Sequence, residues 1–159
     1  MSKSLKRRLI ECIENSVPIK IRADNKSSLR NLINRQGFDE IDPFFLNLKH
    51  KLESSKRSKI YLLPTTPLGH NYDTVSTNID SLREEFPKIR GADLRETITL
   101  LASTNLNLRF PIVAVGSFDN LSPDPQFPMI GESHKIGTYL KLIHGTGFVG
   151  CHIALSIPY

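Results

Sequence analysis

Residues 138–157 read TYLKLIHGTGFVGCHIALSI. Two apolar runs, Thr138 to His144 and Phe148 to Ile157, flank the tripeptide Gly145-Thr146-Gly147. Glycine reaches positive φ at no steric cost, so the pattern predicts a β-hairpin at the end of the chain. Upstream, the β-branched run Ile112 to Val115 predicts a central strand, led into by Leu106, Leu108 and Phe110. Ile60 to Leu63 predicts a short buried strand stopped by Pro64. Asp119 to Pro128 carries three prolines and is expected to be irregular.

The first part of the chain has the other periodicity. Leu5, Leu9, Cys12 and Ile13 recur at helical spacing, with Lys3, Lys6 and Arg7 off the stripe, which predicts an amphipathic helix over Ser4 to Asn15. Val17, Ile19 and Ile21 then alternate with Pro18, Lys20 and Arg22, so a half-buried strand projects Lys20 and Arg22 from one face. Asp24, Asn25, Ser27 and Ser28 are N-cap candidates for a helix that buries Leu29, Leu32 and Ile33 and ends at Gly37. Asp42 and Pro43 open a third helix, expected to reach about Ser54 with Phe45, Leu48 and Leu52 inward. Thr65 to Ser76 is expected to form a long loop with His70, Asn71, Tyr72 and Asp73 at its tip. Ile79, Leu82 and Phe86 mark a further helix ended by Pro87, and the segment around Leu94, Ile98 and Leu101 fits a helix or a strand. The resulting expectation is an α+β fold, with N-terminal helices packed on a mainly antiparallel sheet ending in a C-terminal β-hairpin. With 159 residues, 39% of them hydrophobic, one globular domain over 1–159 is expected, a basic helical part at 1–58 preceding a β-rich part at 59–159.

Charge is distributed as unevenly as structure. Met1 to Ile60 holds fourteen Lys and Arg against seven Asp and Glu, a net +7; the remainder holds seven against nine, a net −2, which together give the chain's +5. Such a segment suits an anionic partner. Lys20 and Arg22 on one strand face lead into Lys26, Ser27 and Ser28 at a helix start, where free N–H groups and the helix dipole favour an anion. Lys6, Arg7, Arg30, Arg35, Lys56, Arg57 and Lys59 extend the footprint. The expected partner is a polyanion, most simply nucleic-acid phosphates, contacted for position rather than for sequence. Aromatic side chains for base stacking are scarce in this segment, since Phe44 and Phe45 fall in a helical pattern.

Other chemistry has weaker support. No apolar stretch approaches the roughly 20 residues that span a bilayer, and Glu11 and Glu14 interrupt any signal-peptide core after Leu9 and Ile10, so an intracellular, cytoplasmic location is expected. Cys12 and Cys151 lie in apolar patterns and are expected to be reduced core residues. His70, His134, His144 and His152 all fall late in the chain. In the predicted hairpin His144 faces Phe148 and His152 faces Leu140, roughly 13 Å apart, too far to share a metal. No metal-ligand spacing occurs, and no metal or cofactor is expected.

Three short motifs resemble known families. Gly137-Thr138-Tyr139 with Phe148-Val149-Gly150 is similar to the paired-strand signature of GIY-YIG nucleases, but the arginine and glutamate that family requires do not follow. His144-Gly145-Thr146 with Gly150-Cys151 resembles parts of the L,D-transpeptidase signature, without its spacing or its following arginine. Val115-Gly116-Ser117-Phe118-Asp119 resembles the nucleotide-binding strand of adenylyl and cytidylyl transferases, with prolines where that family places a helix. None identifies the chain. The leading expectation is therefore a non-enzymatic polyanion-binding module acting within a larger assembly. One alternative is a small metal-independent hydrolase or transferase using His70 and Asp73 with His134 or His144. Another is a structural or adaptor protein that binds an acidic partner chain. Besides the polyanion, a partner protein or a homo-oligomer is among the expected partners.

Overall fold

The computed structural model describes residues 3–47, 56–117 and 125–159. Among them, eight strands form one sheet: β1 (Ile19–Arg22), β2 (Glu40–Ile41), β3 (Arg57–Pro64), β4 (Arg90–Gly91), β5 (Ile112–Val113), β6 (Gln126–Ser133), β7 (Gly137–His144) and β8 (His152–Pro158). Their order across the sheet is β1-β3-β8-β5-β6-β7-β2, with β4 also paired to β8. The β5–β8 and β2–β7 pairs are parallel and the other five are antiparallel. The fold is α+β, with a mainly antiparallel sheet.

Among the described residues five α-helices accompany the sheet: α1 (Lys3–Asn15), α2 (Leu29–Gln36), α3 (Thr65–Leu68), α4 (Tyr72–Leu82) and α5 (Leu94–Ser103). They cover both faces, because successive strand residues point to opposite sides. Ile153 and Leu155 join Leu9 and Ile13 of α1 and Val75 and Leu82 of α4 in one core layer. The intervening Ala154 joins Ile21, Ile60, Leu29 and Leu32 of α2 and Leu94 and Ile98 of α5 in the other. The α2 boundaries follow from its chemistry. The Ser28 hydroxyl accepts the Asn31 N–H at 3.1 Å, and Gly37 adopts the left-handed conformation (φ 72°) that ends a helix. Asp42 and Pro43 open a single 3-10 turn, Pro43–Asn47, that buries Phe45; the expected continuation through Leu48 and Leu52 lies outside the described residues.

The two closing strands have different partners from those the turn sequence suggests. β7 pairs with β6, and β8 with β3, β4 and β5. The hairpin of this region is therefore β6–β7, turning at His134 to Ile136. Parallel strands usually need a connection of a dozen or more residues, so a short glycine-rich link is naturally read as a hairpin. Here the seven residues Gly145 to Cys151 cross one sheet face instead. Phe148 is fully buried under the link, the Tyr72 N–H donates to Gly145 O at 2.7 Å, and the Phe148 N–H donates to His70 O at 2.6 Å.

Three further expectations are corrected. Thr65 to Ser76 is mostly helical, α3 followed by the first turns of α4, because the Asn71 side chain caps α4 by accepting the Thr74 N–H at 2.9 Å. Gln126 to Pro128 belong to β6: Pro128 lacks a donor, yet its carbonyl accepts the Ala114 N–H at 3.0 Å and its ring lies opposite Leu142. β3 begins at Arg57, not at Ile60, so Arg57 and Lys59, on the N-terminal side of the predicted strand, are strand residues. The segment around Leu94 is a helix, fixed by a capping box in which Asp93 and Glu96 satisfy each other's backbone N–H groups. Cys12 and Cys151 are free thiols, Cys151 buried and Cys12 partly so.

Glu96 also anchors α5 to the sheet. Its fully buried carboxylate accepts from Arg90 Nη1 at 2.6 Å and from the Ser156 hydroxyl at 2.6 Å. Burial by itself would raise its pKa, but the bonds from Arg90 and Ser156 outweigh that and hold it below the ordinary carboxylate value.

Candidate nucleic-acid interface

The basic residues separate into three groups once their elements are placed. The first is a cationic plate on the β1–β3 ribbon. The antiparallel register sets Lys20 directly opposite Lys59 and Arg22 directly opposite Arg57. Ile19, Ile21, Ser58 and Ile60 alternate with them and face the α2 and α5 layer, so all four cations project from the opposite face. Lys20, Arg22 and Arg57 are exposed and Lys59 is half-buried. Among the described residues none of the four is paired with a carboxylate. Lys56 is exposed beside the plate, where its carbonyl accepts the Ala23 N–H at 3.0 Å and extends the ribbon.

The second group surrounds the start of α2, on the other side of the sheet. The anion-binding role expected of Lys26, Ser27 and Ser28 is filled from within the chain by Asp24. Its carboxylate accepts the Lys26 N–H at 3.0 Å, the Ser27 N–H at 3.1 Å and the Ser27 hydroxyl at 2.6 Å. Arg35 bonds the same serine and lies 3.6 Å from Asp24. The Ser27 hydroxyl and backbone bonds, with Arg35 nearby, hold the pKa of the half-buried Asp24 carboxyl at about 2. Arg95, a residue the sequence reading did not single out, is 4% exposed and closes the turn from below by donating to Asp24 O and Ser27 O at 2.7 and 2.6 Å. Ser27, Ser28 and Arg35 therefore build the loop, while the side chains of Lys26 and Arg30 are exposed.

The third group lies on α1. Lys6 pairs with Glu84 and Arg7 pairs with Glu11 at 3.2 Å, so both carry local counter-charges. The primary-structure cluster is thus only partly a spatial one: it reduces to the plate.

Among the described residues the four late histidines sit on different elements. His134 sits at the β6–β7 turn and His144 at the far end of the same strand pair, seven residues or roughly 23 Å away. His70 Nε2 is 3.2 Å from the Thr66 hydroxyl, and Asp73 occupies the first turn of α4, where a carboxylate complements the helix dipole. His152 packs edge-on against Phe110, ring centres 5.5 Å apart, and is opposite Pro64 and Ile112, not Leu140. Among the described residues no three His, Cys, Asp or Glu side chains gather as metal ligands, and no helix is long and apolar enough to cross a membrane.

One aromatic belongs to the plate and was not legible beforehand. Tyr159 follows the last strand, its N–H donates to Arg57 O at 3.1 Å, and the Lys59 ammonium lies 5.6 Å from its ring centre. It is 54% exposed. Nothing local in the sequence links Tyr159 to Lys59; only the β3–β8 pairing does. Compared with protein-family models, curated proteins and solved structures, the chain matched none.

Proposed function

We propose that the chain is a polyanion-binding module that holds the phosphate backbone of nucleic acid on the β1–β3 plate. The observation that carries this reading is the pair of like-charged cross-strand neighbours, Lys20 with Lys59 and Arg22 with Arg57. Like charges directly opposite one another destabilise a sheet. Lysine on an outer strand is a common guard against edge-to-edge association, which accounts for Lys20 and Arg22. It does not account for Arg57 and Lys59, because β3 is an inner strand, paired on both sides. Four uncompensated cations spaced by one strand separation across and two residues along form a grid of about 5 by 7 Å, a repeat that suits successive phosphates.

The test is affinity for a generic single strand and duplex as a function of salt. Four phosphate contacts give a slope of log K against log salt of about −2.8 for a single strand and about −3.6 for a duplex. Replacing Lys20 and Arg22 together by Ser should lower the slope by about 1.4 to 1.8 and weaken binding evenly across sequences. A flat salt dependence, or tighter binding to polyglutamate than to nucleic acid, overturns the reading.

A further inference from the structure

The position of Tyr159 narrows the ligand class. Resting on the phosphate-binding reading above, we infer that the plate takes single-stranded nucleic acid in preference to duplex, with a base stacked on Tyr159. A duplex presents phosphates to such a surface and keeps its base faces inside the helix. A single strand presents both, and proteins that bind it combine a basic track with an aromatic ring at its side. Both components are present here within one strand spacing: Arg57 and Lys59 are bonded or apposed to Tyr159 through the backbone and the ring. The Lys59 ammonium near the ring tethers the side chain at the plate, and more than half of the residue's surface stays open to a ligand.

The chain has four tyrosines and no tryptophan, so a base stacking on Tyr159 is read directly as quenching of tyrosine emission. The probes are oligothymidylate of about twelve nucleotides and a duplex of the same length, within the range of known single-strand site sizes. Tyr159→Ala should weaken the single-strand complex roughly tenfold, leave duplex affinity within about twofold and leave the salt slope unchanged, because no charge is removed. Tyr159→Phe keeps the ring and should retain single-strand affinity. Loss of quenching in Tyr159→Ala, with quenching intact in the Lys20→Ser/Arg22→Ser variant at saturating ligand, completes the expected pattern. If that double variant binds as the wild type does, the phosphate-binding reading itself fails. If the double variant loses binding while Tyr159→Ala binds oligothymidylate like the wild type, or if the wild type favours the duplex, only the single-strand inference fails.

Discussion

Reversing the two outer cations, Lys20→Glu with Arg22→Glu, should make the protein more stable while abolishing polyanion binding. The magnitude follows from the register, since each substituted residue lies directly opposite Lys59 or Arg57. Two unit charges about 6 Å apart in bulk water interact by roughly 0.7 kcal/mol, so turning repulsion into attraction gains about 1.4 kcal/mol per pair before screening. With a Debye length of about 8 Å at 0.15 M salt, roughly half survives, or about 1.3 kcal/mol for the two pairs. Urea unfolding with a slope near 2 kcal/mol/M would show this as a midpoint about 0.6 M higher. At 1 M salt the Debye length shrinks to about 3 Å and the gain should fall to about 0.4 kcal/mol. A double variant that is less stable than the wild type at 0.15 M salt, or whose gain ignores salt, would refute the claim that these cations repel one another. Retained binding by the same variant would refute the assignment of the plate.

Other expected outcomes concern the frame that holds the plate. A Cβ at Gly116 would lie 2.3 Å from the Gly91 carbonyl oxygen and 2.8 Å from that of Ala92, which also accepts the Gly116 N–H. Gly116→Ala must push backbone against backbone and should cost about 2–4 kcal/mol by calorimetry, whereas Gly147→Ala, with nothing within 4 Å, should change stability by less than about 0.5 kcal/mol. Glu96→Gln leaves the half-buried Arg90 without its carboxylate and should cost about 2–4 kcal/mol at pH 7. Because the folded Glu96 pKa lies below its unfolded value, its stabilisation is complete above about 4.5 and is lost as pH falls through the folded value; urea midpoints of wild type and Glu96→Gln should therefore converge in acid. Ser28→Ala removes the α2 N-cap and should cost about 1 kcal/mol in the same assay.

The elements that were legible are those whose signal is local. The α1 stripe, the alternation of Ile19, Lys20, Ile21 and Arg22, the Ser28 cap and the Gly37 stop all act within a turn or two of chain, and the structure has each in place. Ile112 and Val113 are central as their β-branched run suggests, although only two residues pair. Misread elements turn on contacts distant in sequence. The Gly145–Gly147 link resembles a hairpin turn until the start of α4 is placed under it, where the Tyr72 N–H donates to Gly145 O and the Phe148 N–H of the link donates to His70 O. Pro128 resembles a strand breaker until Ala114 is placed beside its carbonyl. The same division holds at the candidate site. Lys20 and Arg22 share a face by alternation alone, whereas their apposition to Lys59 and Arg57 is a matter of strand register, and Tyr159 joins them through β8. Arg35 and Ser27 suit an external ligand by sequence alone, since the sequence does not show that Asp24 folds back on the helix start.

Both margins of the sheet are poor templates for another copy of the chain. At one margin β2 offers two residues, and at the other β1 offers four, two of them cationic. Two molecules approaching margin to margin would bring Lys20 and Arg22 of each against the same pair of the other, so electrostatic repulsion opposes that contact. On the polyanion-binding reading proposed above, a bound polyanion would cancel that repulsion. On that reading, occupancy of the plate and resistance to fibril-like polymerisation would be opposed, and the β1 margin is where crowding on a long anionic strand would first join one molecule to the next.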